Sequence, residues 1–260
     1  MRILVTFAFK AEFSQWSSRH PFVPYEFENW ERRREFDLFK ANIGSNEVTV
    51  LLTGIGGDNA VKALASIPLE FHEVCISSGL AGSLEADLKP GDIVAASTTE
   101  TLEKGCKAGS DAGLIELAVA SGAKAVKVSL TSEKIIATAG EKEDLSRKGS
   151  IVEMESTYIL AAAAEKHVPG VAVRAISDAA DEDLPVDSAR ILDSHGHLRM
   201  GGLLKEVGLS PYRIPLLIQF GRQSRAASRS LADFLDRYVS LVSENWTRAA
   251  ARKAEEVSLT

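Results

Sequence analysis

The sequence predicts an α/β protein, a three-layer α/β/α sandwich in which helices flank a twisted, mixed but mostly parallel sheet. Three observations lead there. Short β-rich apolar runs recur along the chain, most are near-continuously apolar rather than alternating, and helical stretches lie between them. A continuous apolar run suits a strand covered on both faces. Strand and helix in alternation is the pattern of stacked βαβ units.

Taken in order, strands are predicted over 2–9 (RILVTFAF), 47–56 (EVTVLLTGIG), 73–82 (EVCISSGLAG), 91–97 (GDIVAAS), 123–130 (AKAVKVSL), 150–154 (SIVEM) and 170–178 (GVAVRAISD). Helices are predicted over Asn59–Leu69, Gly113–Ala120, Glu141–Lys148 and Ser156–Lys166. A last helix, from about Arg222 to Val242 or beyond, sets Ala227, Leu231, Phe234, Leu235 and Tyr238 at helical spacing. That stripe reads as core packing. Residues 14–46 and 183–225 fit the alternation poorly and read as insertions on the rim of the sheet, where loops shape specificity. No linker, repeat or low-complexity segment divides the chain, so one domain over 1–260 is expected.

Bulk properties exclude several function classes. A net charge of −6 gives nucleic acid or an anionic membrane surface nothing to bind. No apolar run approaches the length of a membrane span, and MRILVTFAF is too short and too weakly basic for a secretory leader. Two cysteines, with Cys75 inside the apolar run EVCIS, form no disulfide framework. A reducing, cytoplasmic setting is expected.

Two motifs carry less than they first suggest. TGIGG (53–57) has Asn59 where a dinucleotide fingerprint needs its third glycine, and it follows the second predicted strand instead of the first. HGH (195–197) offers two imidazoles without a third ligand at metal spacing and reads as a solvated turn. His20, His72 and His167 read as surface or packing residues. Neither a metal nor an organic cofactor is expected.

In an open parallel sheet, ligands sit beyond the carboxyl ends of the strands. Those ends are Gly54–Gly57, Ser78-Gly79-Leu80-Ala81-Gly82, Glu153-Met154-Glu155 and Ser177-Asp178. Glu153 and Glu155 also suit the N-terminus of the next helix, where acids complement the macrodipole. Asp178 also suits an N-cap. Acids converging with bare glycine backbone on one crevice favour a site. Crowded carboxylates push one pKa up and leave the others ionised, giving a proton donor beside anionic groups. Glu12, just after the first strand in FAFKAEF, is placed in a loop that joins them.

The stretches MRILVTFAFKAEF, TGIGGDNA, SSGLAGSLEADLKPGDIV, VEMES and VAVRAISDAAD, in that order, resemble the nucleoside phosphorylase and nucleosidase superfamily. Within it, 5'-methylthioadenosine/S-adenosylhomocysteine nucleosidases are the nearest pattern. The later segments DEDLP, DSHGHLRM and SPYRIPLLIQFGRQSRAASRSLADFL are similar to hopanoid-associated phosphorylases. The resemblance implies a phosphorylase/hydrolase-like fold, a small purine nucleoside as partner, and a homo-oligomer, a dimer by preference. It implies Asp178 as general acid toward N7 of the purine and Glu12 as activator of the attacking water. It also implies Glu155 as acceptor of the ribose hydroxyls, Met154 against the sugar, Glu153 bordering the pocket, and Gly79, Ala81 and Gly82 lining the sugar side with backbone. Ser177 falls in the same set beside Asp178. Carboxylates next to an oxocarbenium-like sugar, with an acid at the leaving base, suit N-glycosidic cleavage.

The sequence departs from the pattern at several places. Leu80 stands where these nucleosidases carry serine. Ile135 and Ile136 stand nearest the position of the aromatic that stacks on the base, which leaves an aliphatic slot or an aromatic from 14–46. Ser77 and Leu80 occupy the positions of the arginine and hydroxyl that hold phosphate in the family's phosphorylases, so water is the expected nucleophile. Phosphorolysis, with Arg174 or an arginine from 222–229 reaching the site, is the alternative. A non-catalytic nucleoside-binding protein is a further one.

Overall fold

The computed structural model describes residues 1–26, 36–185 and 214–258, with the side chains of the last stretch described over 216–246. Eleven strands join in one sheet of order β2-β3-β4-β1-β5-β11-β6-β10-β9-β7-β8. They are β1 (Arg2–Phe7), β2 (Val23–Pro24), β3 (Leu38–Ile43), β4 (Asn46–Leu52), β5 (Val74–Ser77), β6 (Leu80–Ser83), β7 (Ile93–Thr101), β8 (Lys107–Gly109), β9 (Lys124–Thr131), β10 (Ile151–Glu153) and β11 (Gly170–Asp178). The helices are α1 (Lys10–Ser17), α2 (Gly57–Ala65), α3 (Ala112–Ala120), α4 (Ala139–Leu145), α5 (Ser156–Glu165) and α6 (Ile214–Ser258).

The centre of the sheet is parallel: β1 pairs with β4 and β5, β11 with β5 and β6, and β9 with β7 and β10. Antiparallel pairs lie at the edges and at β6–β10 and β7–β11. The mixed, mostly parallel sandwich expected from the sequence is thus present, with one correction. The sheet is not open throughout, because β11 also pairs with β7 and closes the ring β11-β6-β10-β9-β7. A twisted sheet that curls back on itself in this way removes an edge.

Strand alternation sorts the core into layers. Ile3, Val5 and Phe7 of β1, with Val48 and Val50 of β4 and Val74 and Ile76 of β5, face α1, α3 and α6. Leu4, Leu51 and Cys75 face the opposite way, onto α2 and α5. Ala227, Leu231, Phe234, Leu235 and Tyr238 of α6 are all buried in the first of these layers, as their spacing predicts.

Three local differences from the sequence reading have physical causes. The run 73–82 is two strands, broken where Gly79 takes φ +146, in the region disfavoured for side chains. Glu12 lies in the first turn of α1 and not in a loop. Residues 14–46 hold the end of α1 and the added strands β2 and β3, which extend the sheet beyond β4. The HGH stretch and the rest of 186–213 in the second rim segment lie outside the described residues, while 214–225 belong to α6.

Candidate active site

A cavity of 740 Å³ opens at the carboxyl ends of β1, β10 and β11. Glu12, Leu80, Ala81, Gly82, Ile135, Ile136, Glu153, Met154, Glu155, Ser177 and Asp178 all line it. Gly79 sits behind Glu12: a Cβ there would lie 3.1 Å from Oε1, so glycine lets the carboxylate in. Its neighbour Leu80 supplies an N–H to the same oxygen at 3.0 Å. Ala8 donates to Glu12 Oε2 at 3.0 Å. Burial pushes the Glu12 pKa up, and the Leu80 N–H, the Arg174 charge and the Ala8 N–H oppose that only partly.

Glu155 follows β10 and precedes α5, and Gly56 donates to its Oε1 at 2.7 Å. The glycine-rich turn after β4 thus puts a backbone N–H on this carboxylate. Among the described residues Glu155 Oε2 receives no donor. Desolvation first, then the neighbouring Glu153 charge, push Glu155 up to about 8.

Glu153, two residues earlier, is held differently. Its Oε2 accepts from the N–H groups of Glu155 at 2.9 Å and Ser156 at 2.7 Å, so it caps α5. Arg174 Nη2 lies 2.8 Å from the same oxygen, and the Thr131 hydroxyl donates to Oε1 at 2.5 Å. Burial works to raise its pKa, but the Arg174 charge and then the Thr131 hydroxyl prevail and hold it below the usual carboxylate range.

Asp178 ends β11, where the pairing with β6 slips between Ile176 and Asp178. Such a bulge re-aims the side chains that follow, and here Ser177 and Asp178 both reach the cavity. The Ser177 hydroxyl donates to Asp178 Oδ1 at 2.5 Å. Oδ2 lies 2.9 Å from where a Gly82 Cβ would stand, so a side chain at 82 would displace the acid. The buried Lys142 ammonium touches Oδ2 at 2.6 Å. That contact lacks the alignment of a hydrogen bond, and Oδ2 has no directed donor. The expected mutual crowding of Glu153, Glu155 and Asp178 is therefore corrected. Glu153 faces Arg174 and Asp178 faces Lys142, which leaves the crowding at Glu155.

Arg174 is committed through both terminal nitrogens, with Nη1 on the Val173 carbonyl and Nε left without a partner. Its Nη2 lies within 2.8–3.1 Å of Glu153, Ser156 and Ser77, and it does not line the cavity. Sequence reasoning missed several wall residues. Phe9 and α6 residues Leu217, Phe220 and Ser224 add apolar and hydroxyl surface. Arg225, within the arginine stretch noted in the sequence, also lines the wall. Phe9 and Phe220 are its aromatics among the described residues, and of the described part of 14–46 Ser14 and Gln15 reach it. Ile136 is buried against Leu84, Leu130 and Val152. No signal short of the folded helix axis puts Phe220 over the cavity. Among the described residues no cluster of histidine, cysteine and acids has metal-binding geometry, and no helix is long and apolar enough to cross a membrane.

The family model of the phosphorylase superfamily matches residues 2–206, so the chain belongs to that superfamily. It is 26% identical over 180 residues to a 5'-methylthioadenosine/S-adenosylhomocysteine nucleosidase of Staphylococcus saprophyticus, covering 60% of this chain and 79% of that protein. Two Helicobacter pylori structures share the fold, each with TM-score 0.69 and 92% of this chain covered. One is a futalosine hydrolase mutant, 19% identical with 99% of its chain covered. The other is a 5'-methylthioadenosine/S-adenosylhomocysteine nucleosidase, 20% identical with 98% covered.

Proposed function

We propose that this chain is an enzyme that hydrolyses the N-glycosidic bond of an adenosine-type purine nucleoside and releases the base. The observation that carries the reading is the meeting of three differently supported carboxylates in one cavity. Glu12 has a raised pKa and backbone donors, Glu155 has a bare oxygen, and Asp178 ends a bulged strand. Glu12 takes a proton from the attacking water, Glu155 accepts the ribose hydroxyls while Met154 packs on the sugar, and Asp178 with Ser177 serves N7 of the departing base. The developing sugar cation gains from nearby negative charge, and the base leaves more easily when protonated.

Two features favour water over phosphate. Arg174 is committed to Glu153, Ser77 and Ser156, and Glu12 puts a carboxylate beside the nucleophile. A phosphate dianion needs a cation with free donors, and Arg225 on the α6 wall is the residue that supports phosphorolysis as the second reading. The substrates named for the Staphylococcus saprophyticus relative, 5'-methylthioadenosine and S-adenosylhomocysteine, are the first to try. One domain over 1–260, a homodimeric state and a cytoplasmic setting belong to the same reading.

The test is product analysis of purified protein with a nucleoside panel, with and without phosphate. Free base and free sugar, unaffected by phosphate, are expected. Sugar 1-phosphate rising with added phosphate would replace water as nucleophile. Binding without release for every nucleoside would favour the non-catalytic alternative.

A further inference from the structure

The lysine behind Asp178 is unexplained by the reaction as described. Lys142 is completely buried, and it is the buried residue of a seven-residue helix, α4. An ammonium so placed is costly unless acceptors surround it. Its acceptors are the carbonyls of Ala179 at 2.7 Å and Glu182 at 2.8 Å, with Asp178 Oδ2 in ion-pair contact at 2.6 Å. The segment after Asp178 is already fastened to α4 without it. Ala139 N–H donates to Asp183 at 2.7 Å, and Leu184 N–H donates to the Ala137 carbonyl at 2.7 Å. The helix start is fixed by its own Thr138–Glu141 capping box. What Lys142 alone supplies is a positive charge against the acid. Oδ2 is itself shielded from solvent, so the ammonium holds the carboxylate from behind.

We propose that Lys142 is a positioning residue for Asp178, holding its carboxylate in place with an ammonium that does not itself touch the substrate. This rests on the function proposed above. The proton that reaches N7 comes from the acid form of Asp178, and Lys142 acts on that step only by where it holds the carboxyl group. Its effect therefore runs through Asp178 and the backbone just after it, and it belongs to the step that expels the base, not to capture of the sugar.

A double-mutant cycle read by base release tests this, with the wild type as first arm. Lys142→Met removes the charge and the donors, whereas Lys142→Gln removes the charge and keeps an N–H group. Each is made with Asp178 and with Asp178→Asn, and folding is checked by circular dichroism. Both variants are expected to lower kcat about tenfold or more, the scale of a misplaced catalytic group, with KM changed by less than about threefold. In the Asp178→Asn background the same changes are expected to move kcat by less than about twofold, because the residue acted upon has gone. Equal losses in both backgrounds would assign Lys142 to general packing and overturn the proposal, as would full activity of either single variant. Failure of both variants to fold would overturn it too, leaving the lysine a purely structural role. A wild type that releases no base sinks the functional reading first, and this inference with it.

Discussion

Two glutamates two residues apart show how one chain makes a fixed anion and a reactive one. Glu153 is surrounded: two backbone N–H groups, a hydroxyl and a guanidinium fill its oxygens. Glu155 has one N–H, from Gly56, and the open cavity. Both are buried, so the difference lies in their partners and not in exposure. Burial alone disfavours a charge, and only Glu153 has a cation and donors enough to reverse that. The region behind β10 and β11 is thus a closed polar network. The region in front of it keeps incomplete carboxylates facing the space where a ligand fits.

The hardest way to break this contrast is to empty the closed side. Arg174→Met leaves Glu153 buried without its counter-charge, a change that typically costs about 3–5 kcal/mol. Chemical denaturation should show a loss of that order. A loss under about 1 kcal/mol would mean that the network is no more than packing. Because Arg174 does not line the cavity, any folded fraction should retain its affinity for nucleosides.

On the open side the largest effect is on rate. Asp178→Asn keeps the size and one acceptor of the side chain but delivers no proton. Turnover should fall about a hundredfold or more, the usual contribution of a general acid, while calorimetry still detects nucleoside binding. Turnover equal to that of the wild type would remove Asp178 from the mechanism.

Most of the frame was legible in the sequence because short, β-rich, near-continuous apolar runs suit strands covered on both sides. The strand ends then name the site, and VEMES and RAISD need no coordinates to be suspected. What stayed hidden has specific causes. The partners Lys142 and Arg174 are long-range: Lys142 reads as an ordinary helix cation, and nothing local links it to a residue 36 positions later. Arg174, in the apolar run VAVRAIS, entered the sequence reading only as a candidate phosphate ligand, and its partner Glu153 was not legible. The closure of β7 onto β11 depends on sheet curvature, which apolar patterning does not encode. The macrodipole reading of the acids before α5 proves correct for Glu153 and incomplete for Glu155, because spacing cannot show which of two glutamates meets the arginine.

The smallest effect is the most diagnostic, since the two glutamates must answer pH with opposite sign. Glu153 titrates below its usual value in the fold. The stability it contributes is present above about 4.5 and is lost as pH falls through its folded value. Glu155 is raised from 4.5 to about 8. Between those values the folded state keeps a proton that the unfolded chain releases, so stability declines as pH rises and is fully lost above 8. Glutamine has no such slope and can still accept from Gly56. Glu155→Gln should therefore match the wild type in Tm near pH 4, gain on it through pH 5–8, and level off beyond. The gain should be on the order of 1 kcal/mol or more, each ~1 kcal/mol being worth roughly 2–4 °C in Tm for a chain of this size. Above about pH 8, where Glu155 is ionised, the same substitution should also weaken nucleoside binding, since a charged acceptor of the ribose hydroxyls is then lost. Thermal melts from pH 4 to 9 decide the matter: a Tm difference that stays constant with pH would mean that Glu155 carries no raised titration, and its distinction from Glu153 would vanish.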